Sequence, residues 1–237
     1  VLTLLLLPAT CRAVPLTVVV EGAERKEHHD NIMARLKIAL QQGNPDLTAR
    51  HIHRLHKQAP EQIKEALAPF GYYSAQVESL PLIKDDFGWH ATYKVNVGDP
   101  VLVSEVNLEI DGVGKERFGS IQEEFPLQPG YVLDDRKYES GKKNILTEAL
   151  TRGYLNAEFI TSKVFVQEAK KEAKIDLHLD TGPLYFFGET DTSDQEIISS
   201  WLLQEYRPYS PGDVYSLGEL NQFQADLYST GYFSQVI

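Results

Sequence analysis

The sequence predicts an α+β fold built from three tandem units, each ordered strand–helix–helix–strand–strand with a three-stranded mixed sheet covered by two helices. Three observations carry that expectation. A Gly-aromatic pair follows an amphipathic helix and opens an extended run at Gly71-Tyr72, Gly153-Tyr154 and Gly231-Tyr232, spaced by 82 and 78 residues. A second marker keeps the same period, since Gln128-Pro129-Gly130 and Ser210-Pro211-Gly212 lie 82 residues apart. Between the markers, residue alternation of period two gives way to apolar spacings of three and four and then returns. A fixed repeat of this length is that of a whole small domain. The expected boundaries are 14–98, 99–182 and 183–237, with residues 1–13 set apart and the third unit incomplete.

Residues 1–13 begin with the apolar run VLTLLLLPA, and Cys11-Arg12-Ala13 then places a small residue before Val14. That is the pattern of the core and cleavage region of a partial secretory signal, and it is too short for a bilayer-spanning helix, which takes ~20 residues. Cleavage after Ala13 removes the only Cys, so the mature chain suits an oxidising compartment without using disulfides. With 34 acidic against 23 basic residues and a formal charge of −11, the composition argues against a nucleic-acid-binding surface. It also disfavours adhesion of the whole molecule to anionic lipid, although a global count does not exclude local patches.

In the first unit, Leu16 to Glu21 is a β-branched strand ending at Gly22. Ile32, Leu36, Ala39 and Leu40 predict one helix from about His28 to Gln42, stopped by Gly43-Asn44-Pro45. Thr48 is the expected N-cap of a second helix carrying Ile52, Leu55, Ile63, Leu67 and Phe70, with a break or kink at Pro60. Gly71 then falls where a left-handed helix terminus favours glycine. Two extended runs follow, Ala75 to Ile83 and Trp89 to Val97. In the second unit, Val106, Leu108 and Ile110 alternate with Asn107 and Glu109. A short helix over about Lys115 to Glu124 precedes a longer one from about Asp134, with Tyr138, Ile145, Ala149 and Leu150 inward. Its hairpin is Leu155 to Gln167 and Lys174 to Asp180, around a solvated charge run. The third unit opens with a strand over Leu184 to Phe187. A capping box at Ser193 to Glu196 starts its first helix, and the last helix buries Leu220, Phe223 and Leu227.

No residue set argues for catalysis. Five histidines lie early, at 28, 29, 51, 53 and 56, but no HExxH pattern, Cys partner or matched acidic ligand accompanies them, so solvated or partner-facing histidines are expected rather than a metal site. Asp86-Phe87-Gly88 is a kinase trigram in a hairpin turn, without the loops a kinase needs. Gly112-Val113-Gly114 lacks the spacing of a dinucleotide fingerprint. No GxSxG or paired-carboxylate pattern occurs, and neither a cofactor nor an enzymatic activity is expected. The aromatics Phe70, Tyr72, Tyr154, Tyr232 and Phe233 are read as core packing at helix–sheet junctions.

The repeat order, its period and the leading apolar segment resemble tandem POTRA domains of the BamA/TamA superfamily. Pro211-Gly212-Asp213-Val214-Tyr215 and Leu227-Tyr228-Ser229-Thr230-Gly231-Tyr232-Phe233 carry the likeness. Leu67 followed by Phe70-Gly71-Tyr72-Tyr73, closing the first of three units directly after a signal, is similar to the TamA-like branch. The resemblance implies a periplasmic, non-enzymatic docking region of an outer-membrane protein and autotransporter assembly or translocation factor. Its expected partners are unfolded outer-membrane clients and a TamB-like inner-membrane-anchored protein, with membrane contact only through a β-barrel beyond Ile237. The implied mode is β-augmentation, in which an extended segment adds to an exposed sheet edge through backbone hydrogen bonds. The family's usual edge corresponds here to Val77, Glu78, Ser79 and Leu80, and to Ile160, Thr161, Ser162 and Lys163, with Pro81 limiting pairing beyond the first set. Rival readings are the POTRA region of a two-partner secretion transporter, a cell-division scaffold, and, in a different class, a periplasmic metal-binding protein or hydrolase.

Overall fold

A computed structural model describes residues 15–189 and 200–232. The chain divides into two compact units, one of residues 1–102, 132–135 and 166–172, the other of 103–131, 136–165 and 173–237. The segment 1–13, the capping box at Ser193 and the run after Tyr232 lie outside the described residues. Among the described residues, no helix is long and apolar enough to cross a membrane.

The first unit runs β1 (Leu16–Glu21), α1 (Lys26–Arg35), α2 (Ala49–Leu67), β2 (Gln76–Ser79), β3 (Ile83–Asp85) and β4 (Gly88–Asn96). β1 lies parallel to β4 in the register Val18↔Ala91 and Val20↔Tyr93, and β2 and β3 are antiparallel to β4. The sheet order is β1-β4-β2, with β3 also on β4. Alternation in β1 sends Leu16, Val18 and Val20 into a core with Ile32, Ile52, Ile63, Leu67 and Tyr93. Four strands stand where three were expected, because the run from Ala75 to Ile83 is interrupted at Leu80-Pro81-Leu82. Proline has no N–H for the ladder.

Two helix expectations change. The first helix stops at Arg35, because Leu36 takes an extended backbone. Leu36 and Ile38 are then both fully buried around a turn, so the helical spacing of apolar residues came from anchors on either side of a bend. Conversely, α2 continues unbroken through Pro60. The proline removes one intrahelical hydrogen bond, but Ala59 and Ile63 beside it are fully buried and hold the helix to the core. Thr48 caps α2 as expected, its Oγ1 accepting the His51 N–H.

In the second unit, β5 (Leu102–Asp111), α3 (Ile121–Glu124), α4 (Asp135–Thr151), β6 (Glu158–Gln167) and β7 (Glu172–Asp180) form a sheet of order β5-β7-β6 with its covering helices. Tyr138, Ile145 and Ala149 face the core, and Gly141 completes the stripe against Phe125 and Pro126. Leu150 does not face inward as expected; it is exposed, lying about 100° around the helix from Ala149. α5 (Ser200–Tyr206) and α6 (Leu217–Ser229) follow. Phe187, Leu203, Tyr209, Phe223 and Leu227 gather into a small cluster in which the Phe187 and Tyr209 rings stack at 3.6 Å. Leu220 is only half-buried, and the strand expected over Leu184 to Phe187 reduces to one bridge, Phe186↔Val214.

Candidate functional site

The sheet orders place the residues picked out from the sequence at one edge of each sheet. Val77, Glu78 and Ser79 lie in β2, paired on one side with Val95, Lys94 and Tyr93 of β4. Leu80 lies just past the strand, its N–H donating to the Thr92 carbonyl at 3.0 Å. An open depression of about 350 Å³ runs over Gln76, Val77, Glu78, Lys94, Val95 and Asn96. Ile160, Thr161, Ser162 and Lys163 lie in β6, the outer strand of the second sheet. Ile160 is 60% exposed and Phe165, further along the strand, 53%.

The opposite edges differ, and sequence reasoning did not find the difference. In β1, the Val18 N–H donates to the Gln42 side-chain oxygen at 3.1 Å. In β5, the Val106 carbonyl accepts from the Gln122 side-chain amide at 3.2 Å. One glutamine from the segment after the first strand therefore occupies a ladder position on each of these edges. Exposed edges invite pairing with other chains, and occupying their backbone groups blunts them. A lone glutamine in a turn or short helix carries no sequence signal for this role.

The repeated Gly-aromatic and Pro-Gly markers are bonding positions. In the first unit the Val101 N–H donates to the Gly71 carbonyl at 2.8 Å, and the Leu133 N–H to the Val101 carbonyl at 2.9 Å. In the second, Tyr185 donates to Gly153 and Tyr215 to Tyr185, both at 2.9 Å. The Pro-Gly loops match as well, with Gly130 N–H on the Val103 carbonyl at 2.7 Å and Gly212 N–H on that of Phe187 at 2.8 Å. Gly71 and Gly153 have φ of +85° and +89°. A Cβ on Gly71 would lie 2.6 Å from the Leu133 carbonyl oxygen, and one on Gly153 2.8 Å from that of Tyr215. Left-handed backbone and close approach both require glycine there.

Behind these glycines, Phe70, Tyr72 and Tyr154 are buried as expected. Tyr232 is not; it is 71% exposed, and Phe233 lies outside the described residues. His28 also departs from the expectation of a solvated histidine, being buried against the rings of Phe70 and Tyr72 at 4.8 and 5.0 Å. His53 meets the edge of Trp89, and His56 Nδ1 lies 2.8 Å from the Tyr93 hydroxyl. Burial lowers the His56 pKa, the neighbouring His53 lowers it further, and the Leu80 carbonyl works against both. Burial pushes the Tyr93 hydroxyl up. Among the described residues, no group of three or more His, Cys, Asp or Glu is placed to hold a metal ion.

Residues 17–97 match the family described as POTRA domain, TamA domain 1. Over these residues the chain is similar to a TamA-type POTRA domain. The POTRA3-5 region of BamA from Haemophilus influenzae is a structural neighbour at 18% identity and TM-score 0.46, over 95% of this chain and 88% of that one. POTRA1-3 of the periplasmic domain of Omp85 from Anabaena stands at 18% and 0.37, over 94% and 88%. At that distance neither assigns a role to a residue. In the matched region, residues 17–97, the candidate edge is β2.

Proposed function

We propose that this chain is the periplasmic docking region of a TamA-like outer-membrane assembly and translocation factor, without catalytic activity of its own. It is read as three POTRA-like repeats, 14–98, 99–182 and 183–237, following a secretory signal. Clients or a TamB-like partner add an extended segment to β2 through Val77 to Leu80 and to β6 through Ile160 to Lys163. The observation that supports this reading is the edge asymmetry. In both sheets the first strand carries a glutamine across its outer side, whereas β2 and β6 have a paired neighbour on one side only. Strand addition draws its affinity from main-chain hydrogen bonds, so a free ladder row is its first requirement.

The test is site-specific photocrosslinking in cells carrying the full-length protein, with the probe at Val77, Glu78, Ile160 or Thr161. Adducts with outer-membrane β-barrel clients or with an inner-membrane-anchored partner are expected. Probes at Val18 and Val106, on the glutamine-closed edges, give none. Equal adducts from both kinds of edge would sink the proposal.

A further inference from the structure

The first half of α2 carries a run that strand addition does not use. Residues 47–60 read LTARHIHRLHKQAP and contain no Asp or Glu, although acidic residues outnumber basic ones 34 to 23 in the chain. Several cations elsewhere pair with acids, as in Lys26–Asp30, Lys64–Glu61, Lys142–Glu139, Arg152–Glu148 and Lys174–Glu105, and what sets the α2 run apart is the clustering of its cations on one helical face. Arg50, Arg54 and Lys57 have no acidic partner among the described residues, and Arg54 meets only the His51 ring at 3.0 Å. Ile52, Leu55, Ala59 and Ile63 face the core, so Arg50, His53, Arg54 and Lys57 fall within about 100° of arc on the opposite, exposed side.

The same end of the domain presents apolar surface. His53 packs on Trp89, and the Lys84 ammonium sits 5.6 Å over the same ring. Two residues before Trp89, Phe87 is 81% exposed at the tip of the β3–β4 turn, and Ile83 on β3 is 60% exposed. Of the two acids in that turn, Asp85 accepts the backbone N–H groups of Phe87 and Gly88 at 2.8 and 3.0 Å and pairs with His90, and Asp86 is exposed beside Phe87. Arg50 stands about 25 Å along α2 from Leu67, where the helix ends.

We propose that this end of the first domain docks on an anionic phospholipid surface, the α2 stripe supplying the charge and Phe87 an apolar wedge at the headgroup level. Charge complementarity selects an anionic partner. A bilayer rather than an acidic polypeptide fits because the charge lies along the exposed face of a helix with a protruding aromatic at the same end, which a plane of headgroups meets without a groove. Attraction of this kind acts within about a Debye length, so a local stripe operates despite the negative total.

The experiment is co-sedimentation of the whole chain with vesicles of phosphatidylcholine alone or with about 30% phosphatidylglycerol, at about 50 mM and about 500 mM salt. Binding is expected only with phosphatidylglycerol and at low salt. The variant R50E/R54E/K57E alters exposed, unpartnered side chains and should bind about a hundredfold more weakly. K137E/K143E/K170E, which shifts the net charge equally elsewhere, should bind as the parent does, and Phe87→Ser several-fold more weakly. Thermal melts followed by circular dichroism confirm that each variant is folded. Absence of binding to phosphatidylglycerol vesicles, or equal losses in the two triple variants, overturns the proposal. Capture of a polyglutamate peptide without vesicle binding overturns it too, in favour of an acidic polypeptide.

Discussion

In the first domain the outer strand β2 is four residues long and ends at Leu80-Pro81, whereas in the second sheet the corresponding strand β6 runs for ten residues without a proline. Both sheets place that strand beside the one that closes the hairpin, and both carry a glutamine across the opposite edge. The architecture is held constant while the uninterrupted strand on that edge changes more than two-fold in length, β3 resuming the edge after the break. The break in the first edge falls at Leu80-Pro81-Leu82, where the proline has no N–H to offer. On the proposed mechanism, the second sheet receives the longer extended segment.

The comparison is most easily broken at the glycines it relies on. Gly71→Ala and Gly153→Ala each put a side chain into left-handed backbone and against a carbonyl oxygen. A loss of ~3 kcal/mol is expected from each, read as a lower denaturation midpoint. A markedly smaller effect at one glycine would show that the two positions are not equivalent. Next in size, Pro81→Thr restores an N–H to the interrupted edge. It should raise crosslinking yields around Leu80 to Leu82 several-fold towards those of β6; an unchanged yield would mean that proline does not limit the first edge. Gln42→Ala and Gln122→Ala remove one ladder hydrogen bond each and should cost about 1 kcal/mol. Concentration-dependent self-association through the opened edge is the accompanying readout in sedimentation velocity.

The smallest expected effect is a pH dependence confined to the first sheet. The folded state holds His56 below its ordinary pKa, so the unfolded chain takes up that proton more readily. Stability from this group is therefore present above about pH 6.5 and declines as pH falls below it, levelling off once the depressed folded value is passed. His56→Asn should flatten that slope in melts between about pH 7.5 and 5. A slope unchanged by the substitution would remove His56 from the account.

Much of this was legible because period and spacing survive in the letters. The two glycines with close contacts, the alternation of β1, β4 and β7, and the Thr48 cap are local signals with local causes. The failures have a common physical form, in which tertiary packing overrides a local rule. Leu36 and Ile38 mimic a helical face because a bend brings both into the core, and Pro60 sits inside a helix because burial on either side outweighs one lost hydrogen bond. Leu150 was placed inward beside Ala149, but adjacent helical residues point about 100° apart. Gln42 and Gln122 were invisible because their function depends on a strand more than ten residues away. His28 carries no local sign of burial, because the neighbours that bury it, Phe70 and Tyr72, lie more than forty residues downstream.

The hydrogen bonds at Gly71 bear on where a domain ends. The family match closes at residue 97, yet the carbonyl of buried Gly71 is bonded from Val101, whose own carbonyl is bonded from Leu133. A clone trimmed to 17–97 would carry every element of the first sheet and still lack the donor to the buried Gly71 carbonyl. In a polypeptide emerging N-terminus first through a narrow exit, that carbonyl waits for downstream sequence to clear. The Gly153 carbonyl likewise waits for Tyr185, thirty-two residues later in the chain.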